Sequence, residues 1–200
     1  MDASALLRPG LLDGCAIALG GGSGAGPALA DLGATVAVLP VTLDEELAAE
    51  HARAAISAHG ALAVLLQDMR PGFAPGGSDG FRRALDSAWV TVRAVANAAW
   101  IEPERPGKLV LIAPPPAPAA VDDPHADGVR DAAENMARTL SIEWSRFGIR
   151  TVAITPGRHT ADGELTALAA YLASPAGDYF SGARLSLGEA EPVSASPSPR

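Results

Sequence analysis

A glycine-rich segment near the amino terminus has the composition of a phosphate-binding loop. The sequence GGGSGAG occupies residues 20–26, directly after the apolar run 14–19 and before Pro27 and a short helical pattern. Glycines at this place allow a tight turn and let backbone N–H groups approach a pyrophosphate, while the following helix directs its N-terminus at the same anion. The pattern therefore predicts a set of phosphate-contacting residues: Gly20, Gly22, Ser23, Gly24 and Gly26. A glycine turn that serves packing alone is the alternative interpretation.

Other side chains with catalytic potential are isolated along the sequence. His125 could titrate near neutral pH, but its neighbours Asp123 and Asp127 favour a solvent-exposed loop histidine. Arg130 has carboxylates at helical spacing, which favours a solvated ion pair. Ser23 has no evident base partner, and no group of His, Cys and carboxylate residues has metal-ligand spacing. We therefore predict neither hydrolase chemistry nor a metal site.

Strands and helices alternate along the chain. Short apolar runs predict buried parallel strands at 14–19, 34–39, 61–66, 108–113, 149–154 and 183–187. Amphipathic segments predict helices after Pro27 and at 43–58, about 81–101, 129–147 and 163–173, with loops at 70–80 and 114–127. This order predicts an α/β fold: a single doubly wound, Rossmann-like domain at 1–188 with a mostly parallel sheet of about six strands. The Pro/Ser-rich tail at 189–200 is predicted to be disordered.

Composition and charge exclude several classes of protein. The 200 residues include 48% hydrophobic residues and carry a net charge of −8, with a pI of about 4.9. Such an acidic chain lacks the basic surface that nucleic-acid binding needs. No apolar run reaches the roughly 18 residues of a membrane span, and the first residues do not have the pattern of a signal peptide. With the single cysteine, Cys15, these features predict a cytoplasmic protein.

Four segments resemble the short-chain dehydrogenase/reductase family. The spacing Gly20-x-x-x-Gly24-x-Gly26 resembles its cofactor fingerprint, and GKLVLIA at 107–113 resembles the strand before its catalytic serine. LSIEWSRFGIRTVAITPG at 140–157 resembles its helix end, strand and Pro-Gly turn, and YLASPAGDYFSGARLSL at 171–187 resembles its C-terminal segment. The resemblance implies an oxidoreductase scaffold that binds NAD or NADP, and it adds two residues to the predicted cofactor contacts: Pro156 and Gly157.

The chain is shorter than this family in two places. After the second predicted strand the family has two more strands before its next long helix, and this sequence has room for one, at 61–66. If that strand is the family's third, Asp68 corresponds to an adenine-contacting Asp; if it is the fourth, Gln67 and Asp68 occupy the family's Asn-Asn-Ala-Gly turn. The second interpretation is favoured, because losing the central fourth strand would leave buried backbone groups unpaired, whereas losing the third only moves the sheet edge. The family's substrate lid is also missing, between Pro156 and Leu165.

The resemblance further implies a catalytic tetrad that this sequence lacks. In the family a tyrosine acts as the acid, a lysine lowers its pKa, and a serine and an asparagine complete the tetrad. Aligning on 140–157 places Ala126 at the tyrosine and Arg130 at the lysine. The serine position falls at about Pro114 and the asparagine position at about Ala88. Arginine does not simply replace lysine, since its planar guanidinium differs in reach and hydration. Pro40 ends the second strand where the family holds the NAD ribose with a carboxylate. The choice between NAD and NADP, and the retention of either, therefore stays open.

We accordingly expect a catalytically degenerate homologue of the family, with no catalytic residues of its own. It is predicted to serve as a non-catalytic subunit that assembles with an active NAD(P)-dependent relative, as a homo- or hetero-oligomer through the helices at about 81–101 and 129–147. Four large side chains on these helices are available for packing: Trp89, Trp100, Trp144 and Phe147.

Two alternative functions stay open at this point. The first is an active carbonyl or hydroxyl oxidoreductase with a relocated acid, either His125 or one of the C-terminal tyrosines, Tyr171 and Tyr179. The second is a module that binds a dinucleotide without turning it over.

Overall fold

Six parallel strands form one sheet in the computed structural model, which describes residues 7–22, 24–117 and 123–188. The strands follow the order β2-β1-β3-β4-β5-β6 and every neighbouring pair is parallel. Their bounds are β1 Ala16–Gly20, β2 Thr35–Leu39, β3 Val64–Asp68, β4 Gly107–Ile112, β5 Ile149–Pro156 and β6 Ala183–Leu187. The predicted α/β class and parallel sheet are confirmed; the predicted tail at 189–200 lies outside the described residues.

Helices cover both faces of this sheet. They are α1 Gly26–Asp31, α2 Glu45–His59, α3 Arg70–Phe73, α4 Gly77–Val95, α5 Pro124–Glu143 and α6 Asp162–Ala173. One apolar core lies between the sheet and α2, α4 and α5, and a second lies between the sheet and α1 and α6. Because both faces are covered, β1 and β3 are buried along their whole length, which explains the apolar sequence of β1 and of the first three residues of β3.

β3 lies at the centre of the sheet. It pairs with β1 on one side and β4 on the other, with Leu65 opposite Ala18 and Leu109. This central place is the one that the resemblance assigns to the family's fourth strand, as the backbone argument favoured, and β2 is left as the edge strand. Gln67 and Asp68, expected in the turn after this strand, are instead its last two residues. The segment between β5 and α6 is also short, covering only 157–161, in agreement with the expected loss of a lid.

Two predicted loops contain helical residues. In the loop expected at 70–80, the chain forms the short helix α3 and then begins α4 at Gly77. In the loop expected at 114–127, α5 begins at Pro124, with Asp123 as N-cap accepting a hydrogen bond from the His125 N–H. Proline fits the first turn because no intrahelical acceptor is needed there. Asp123 and Pro124 together are typical of a helix N-terminus, but the many prolines of the segment favoured a loop.

Trp100 is a core residue and is not available to a partner. It is 0% exposed, its Nε1 donates to the Leu62 carbonyl at 2.8 Å, and its ring covers Gly107, where a Cβ atom would meet it. The π-helical turn Ala96–Ile101 at the end of α4 carries it inward. Trp144 and Phe147 are half-buried against the same core. Of the four expected interface side chains, only Trp89 is exposed.

Candidate functional site

The carboxyl ends of the six strands meet along one side of the sheet. Ligands of open α/β sheets bind in the crevice at this side, where the glycine-rich segment follows β1. Gly20 ends β1, between Leu39 of β2 and Gln67 of β3. The predicted cofactor contacts Pro156 and Gly157 lie at the end of β5 on the same side.

Two glycines of the loop are required by packing. A Cβ atom on Gly20 would lie 2.0 Å from the Oε1 atom of Gln67, and one on Gly21 would lie 2.2 Å from the carbonyl oxygen of Asp68. Gly21 also has a φ of 89°, which side chains disfavour. These two glycines thus let β1 and β3 end side by side, whether or not a phosphate binds.

The next glycines face open space. A Cβ atom on Gly22 or Gly24 would have no neighbour within 4 Å, and one on Gly26 would make ordinary contacts with Leu19 and Val36. Ser23 lies outside the described residues. Gly22 and Gly24 are therefore free to meet a ligand, in contrast to Gly20 and Gly21.

Arg70 forms ion pairs with two carboxylates on this side of the sheet. Its guanidinium holds the Asp68 carboxylate through Nε at 3.0 Å and Nη2 at 2.8 Å, and its Nη1 donates to Asp162 at 2.8 Å. Asp68 is 2% exposed and also accepts from the Arg70 N–H, whereas Asp162 is 86% exposed. Partial burial opposes the positive charge, but the hydrogen bonds to the two carboxylates outweigh it and raise the pKa of Arg70. The pair links the end of β3 to the start of α6.

Sequence analysis missed Arg70, because 70–80 was assigned to a loop. A carboxylate and an arginine two residues apart after a strand were the available signal. The structure also gives Asp68 a role: it is the counter-ion of Arg70, at the end of a central strand.

Arg130 is buried, not solvated as its sequence neighbours suggested. Its side chain is 5% exposed, and Nη1 donates to the carbonyl oxygens of Pro114 at 3.0 Å and Pro156 at 2.6 Å. These carbonyls follow β4 and end β5, so the guanidinium ties two strand ends together. The expected ion pair is present, since the Asp127 carboxylate lies 3.7 Å from the Nε atom, but the guanidinium is not solvated. The carbonyl acceptors are distant in sequence, so helical spacing gives no information about them.

The position that the resemblance assigns to the family's tyrosine holds a buried alanine. Ala126 is 2% exposed on α5, one turn before Arg130 and on the same helix face. His125, next to it, lies in the first turn of α5 instead of a loop. Its Nδ1 atom is 2.7 Å from Asp123 Oδ1, and its ring is 6.3 Å from the Phe81 ring of α4. The hydrogen bond with His125 lowers the pKa of Asp123.

The other candidate acid and base groups lie far from the strand carboxyl ends. Lys108 is the second residue of β4, and its Nζ atom donates to the carbonyls of Ala173 and Ser174 at the C-terminal end of α6. Tyr171 lies in that same last turn with its ring against Phe180, about 13 Å along the helix from Asp162. Tyr179 is 91% exposed. None of these groups shares a site with Ala126 and Arg130.

Gly157 has a structural role in the turn after β5. Its N–H donates to Thr160 Oγ1 at 2.9 Å, and a Cβ atom there would lie 2.4 Å from the Leu187 carbonyl oxygen. Together with the bond from Arg130 to Pro156, this contact fixes the strand end that was predicted to meet a cofactor.

The space beside the loop is small in this arrangement. A cavity of about 170 Å³ lies between Gly24 and α6, and both Arg70 and Asp162 line it. Pockets for small molecules commonly measure about 300–1,000 Å³. A cavity of this volume, with the Arg70–Asp162 ion pair in place, fits a bound dinucleotide poorly. Pro40, which cannot supply a carboxylate to a ribose, follows β2 as expected.

The fold has close counterparts among solved structures. A citronellol catabolism dehydrogenase of Pseudomonas aeruginosa superposes with a TM-score of 0.72 at 21% identity, over 91% of this chain and 96% of that one. A short-chain type dehydrogenase/reductase of Mycobacterium marinum gives 0.71 at 19% identity, over 88% and 94%. This chain has the short-chain dehydrogenase/reductase fold. A hydroxysteroid dehydrogenase of Escherichia coli agrees, with 0.70 at 20% identity over 88% and 96%.

Sequence comparison alone does not reach this result. No family model and no curated protein matches the chain. At these identities the short-chain dehydrogenase/reductase fold is established through structure, whereas its chemistry has to be argued from side chains.

Two further findings concern the described part of the chain only. No group of three His, Cys, Asp or Glu side chains converges there as metal ligands would. None of its helices combines the length and apolar character that crossing a membrane requires.

Proposed function

We propose that this protein is a non-catalytic member of the short-chain dehydrogenase/reductase fold that assembles with an active NAD(P)-dependent relative. One observation carries the proposal: Arg130 is bonded to the carbonyls of Pro114 and Pro156, one helical turn from Ala126. The chemistry implied by the resemblance needs a tyrosine proton donor and a lysine that lowers its pKa. Alanine has no proton to give, and an arginine bonded to carbonyls stays charged and positions strands.

The ion pair at Arg70 supports the same proposal for the cofactor. In our proposal the Arg70–Asp162 contact takes the place of a bound dinucleotide, and the loop at 20–26 persists because Gly20 and Gly21 allow β1 and β3 to pack. Breaking the Arg70–Asp162 ion pair costs little free energy, because Asp162 is exposed to solvent. Weak binding of NAD or NADP is therefore compatible with the proposal.

The partner surface is proposed to lie on the outer faces of α4 and α5, which pack side by side. Their inward faces cover the sheet, so amphipathic spacing alone does not require a partner. The outward faces nevertheless carry two large apolar side chains, Trp89 at 39% exposure and Ile142 at 76%. These two residues are the anchors we assign to the interface.

The first experiment measures turnover. Purified protein is mixed with NADH or NADPH and a panel of aldehydes and ketones, and absorbance of the reduced cofactor is followed. No oxidation above the protein-free rate is expected. Oxidation that is lost in His125→Ala but kept in His59→Ala, a matched surface histidine, would replace the proposal with the relocated-acid alternative.

The second experiment measures assembly. The chain is co-expressed with full-length, active short-chain dehydrogenases of the same genome, and complexes are sized by light scattering. A stable complex is expected, and Trp89→Glu or Ile142→Glu should dissociate it. Val38→Glu is the matched control, because Val38 is 61% exposed but lies on the edge strand β2. A monomer that captures no such relative would refute the assembly proposal.

A dinucleotide-binding role without turnover is the second candidate, and the open surroundings of Gly22 and Gly24 favour it. Fluorescence titration with NADH and NADPH separates the two. Saturable binding that Gly24→Val abolishes would support the binding module, whereas no saturation up to millimolar cofactor would support the non-catalytic subunit.

A further inference from the structure

A second cavity lies at the opposite side of the sheet, where the strands begin. It measures about 360 Å³, about twice the space beside the glycine-rich loop. The segment before β1, the start of β4, the start of β5 and the end of α6 surround it. Its volume falls within the range typical of small-molecule pockets.

Two cations stand next to each other in this cavity. Lys108 of β4 and Arg150 of β5 are register partners, so their side chains leave the same face of the sheet from strands about 5 Å apart. Both residues line the cavity. Like charges in adjacent register positions destabilise a sheet unless an anion compensates them.

The protein itself compensates only one of these charges. The Lys108 ammonium forms an ion pair with Asp178 at 2.6 Å and donates to the carbonyls of Ala173 and Ser174, which uses all three of its N–H groups. Across residues 7–22, 24–117 and 123–188, by contrast, the Arg150 guanidinium has no hydrogen-bond or ion-pair partner. The one other acid of the lining, Asp13, is exposed to solvent.

The remaining walls determine what kind of anion fits. They include several apolar side chains, among them Leu11, Leu12, Val64, Ala173 and Pro175. Inorganic phosphate would leave this apolar surface uncovered, whereas an aliphatic carboxylate would place its headgroup on the guanidinium fork and its chain on the wall.

We propose that the cavity binds a short-chain aliphatic carboxylate, with its headgroup on Arg150 and its methylene chain against Leu11 and Pro175, two apolar lining residues that are not buried. The site is independent of the glycine-rich loop and of the proposed lack of turnover, because it lies at the other side of the sheet. It is a binding site only, and no covalent step is involved.

The experiment is calorimetric titration of the purified chain with acetate, butyrate, hexanoate and octanoate, and with inorganic phosphate as a separate arm. Affinity should rise about fourfold for each added methylene that the wall covers, and then level off when the cavity is full. Arg150→Gln should weaken hexanoate binding at least tenfold, because a charge-assisted hydrogen bond is lost. Arg138→Gln, an exposed arginine on α5, is the matched control and should bind like the wild type.

Cys15 gives an independent measurement, because its side chain lines the same cavity and is the only thiol of the chain. Hexanoate at a concentration equal to the wild-type Kd should slow its alkylation by iodoacetamide about twofold in the wild type and leave the rate nearly unchanged in Arg150→Gln. Three results would overturn the proposal: no carboxylate binding at millimolar concentration, tighter binding of phosphate than of hexanoate, or equal hexanoate affinity in folded Arg150→Gln and in the wild type.

Discussion

The cationic side chains at the two ends of the parallel strands differ in how the protein pairs them. Where the strands end, Arg70 and Arg130 are held by acceptors of the protein itself, two carboxylates in one case and two carbonyls in the other. Where the strands begin, Lys108 is held in the same manner, but Arg150 has no such acceptor in the described part of the chain. The usual ligand side of this fold is therefore internally paired, and the uncompensated charge lies on the other side.

This difference indicates that the arginines at the strand carboxyl ends position backbone and side chains, whereas Arg150 at the amino ends is available to bind a ligand. A guanidinium that closes on carbonyls at the ends of two strands stabilises the sheet, and it is the more effective the better water is excluded. A guanidinium beside an open cavity adds little to folding and is available to a ligand. The comparison therefore makes different predictions for stability and for binding at the two sides.

Loss of Arg130 should have the largest effect on folding. Arg130→Met keeps the aliphatic length but leaves the carbonyls of Pro114 and Pro156 without their donor, and we expect the free energy of unfolding to fall by about 3 kcal/mol. Urea unfolding followed by circular dichroism measures it. Arg150→Gln is the counterpart on the other side and should change stability by no more than about 0.5 kcal/mol. Equal losses in the two variants would remove the distinction between the sides.

At the carboxyl ends of the strands, the ion pair of Arg70 with Asp68 should stabilise the fold more than its ion pair with Asp162. Arg70→Leu leaves the buried Asp68 without its counter-ion and should cost about 2 kcal/mol. Asp162→Asn removes a contact with an exposed partner and should change stability by less than about 0.5 kcal/mol. A double-mutant cycle on Arg70 and Asp162 checks the split, and a coupling energy above about 1 kcal/mol would contradict it.

Sequence alone predicts the framework well because strand and helix patterns are local. The approximate positions of the six strands and the central place of β3 follow from residues close in sequence or from backbone pairing, although the third strand lies at Val64–Asp68 and not at 61–66. The site is predicted less well, because its contacts join distant segments. Nothing near Arg130 in sequence indicates that the carbonyls of Pro114 and Pro156 are its acceptors, and the sequence pattern does not reveal the π-helical turn that contains the buried Trp100.

The open part of the glycine-rich loop should tolerate side chains unequally, with smaller effects. Gly22 has a φ of 69°, so Gly22→Ala should cost about 1 kcal/mol in strain although its surroundings are open. Gly24 lacks a positive φ and also faces open space, so Gly24→Ala should be nearly neutral in thermal unfolding. A large loss in Gly24→Ala would show that this end of the sheet is more tightly packed than its surroundings indicate, and would weaken the contrast with the other side.

The smallest expected effect is a shift in the pH dependence of the Cys15 thiol, which reports on the charges of the cavity at the strand amino ends. Burial raises the pKa of Cys15, and the nearby Lys108 ammonium partly offsets this rise. Because the thiolate is the reactive form, the alkylation rate of the folded protein should reach its midpoint at higher pH than that of the urea-unfolded chain. A folded pKa above the unfolded one stabilises the protein at pH values below the unfolded pKa, and this contribution is lost as the pH rises through the folded value.

Lys108→Met should move the alkylation midpoint further upward, since it removes the charge that favours the thiolate. If the alkylation midpoint of Lys108→Met moved to lower pH instead, the Lys108 ammonium would not be a charge that favours the Cys15 thiolate.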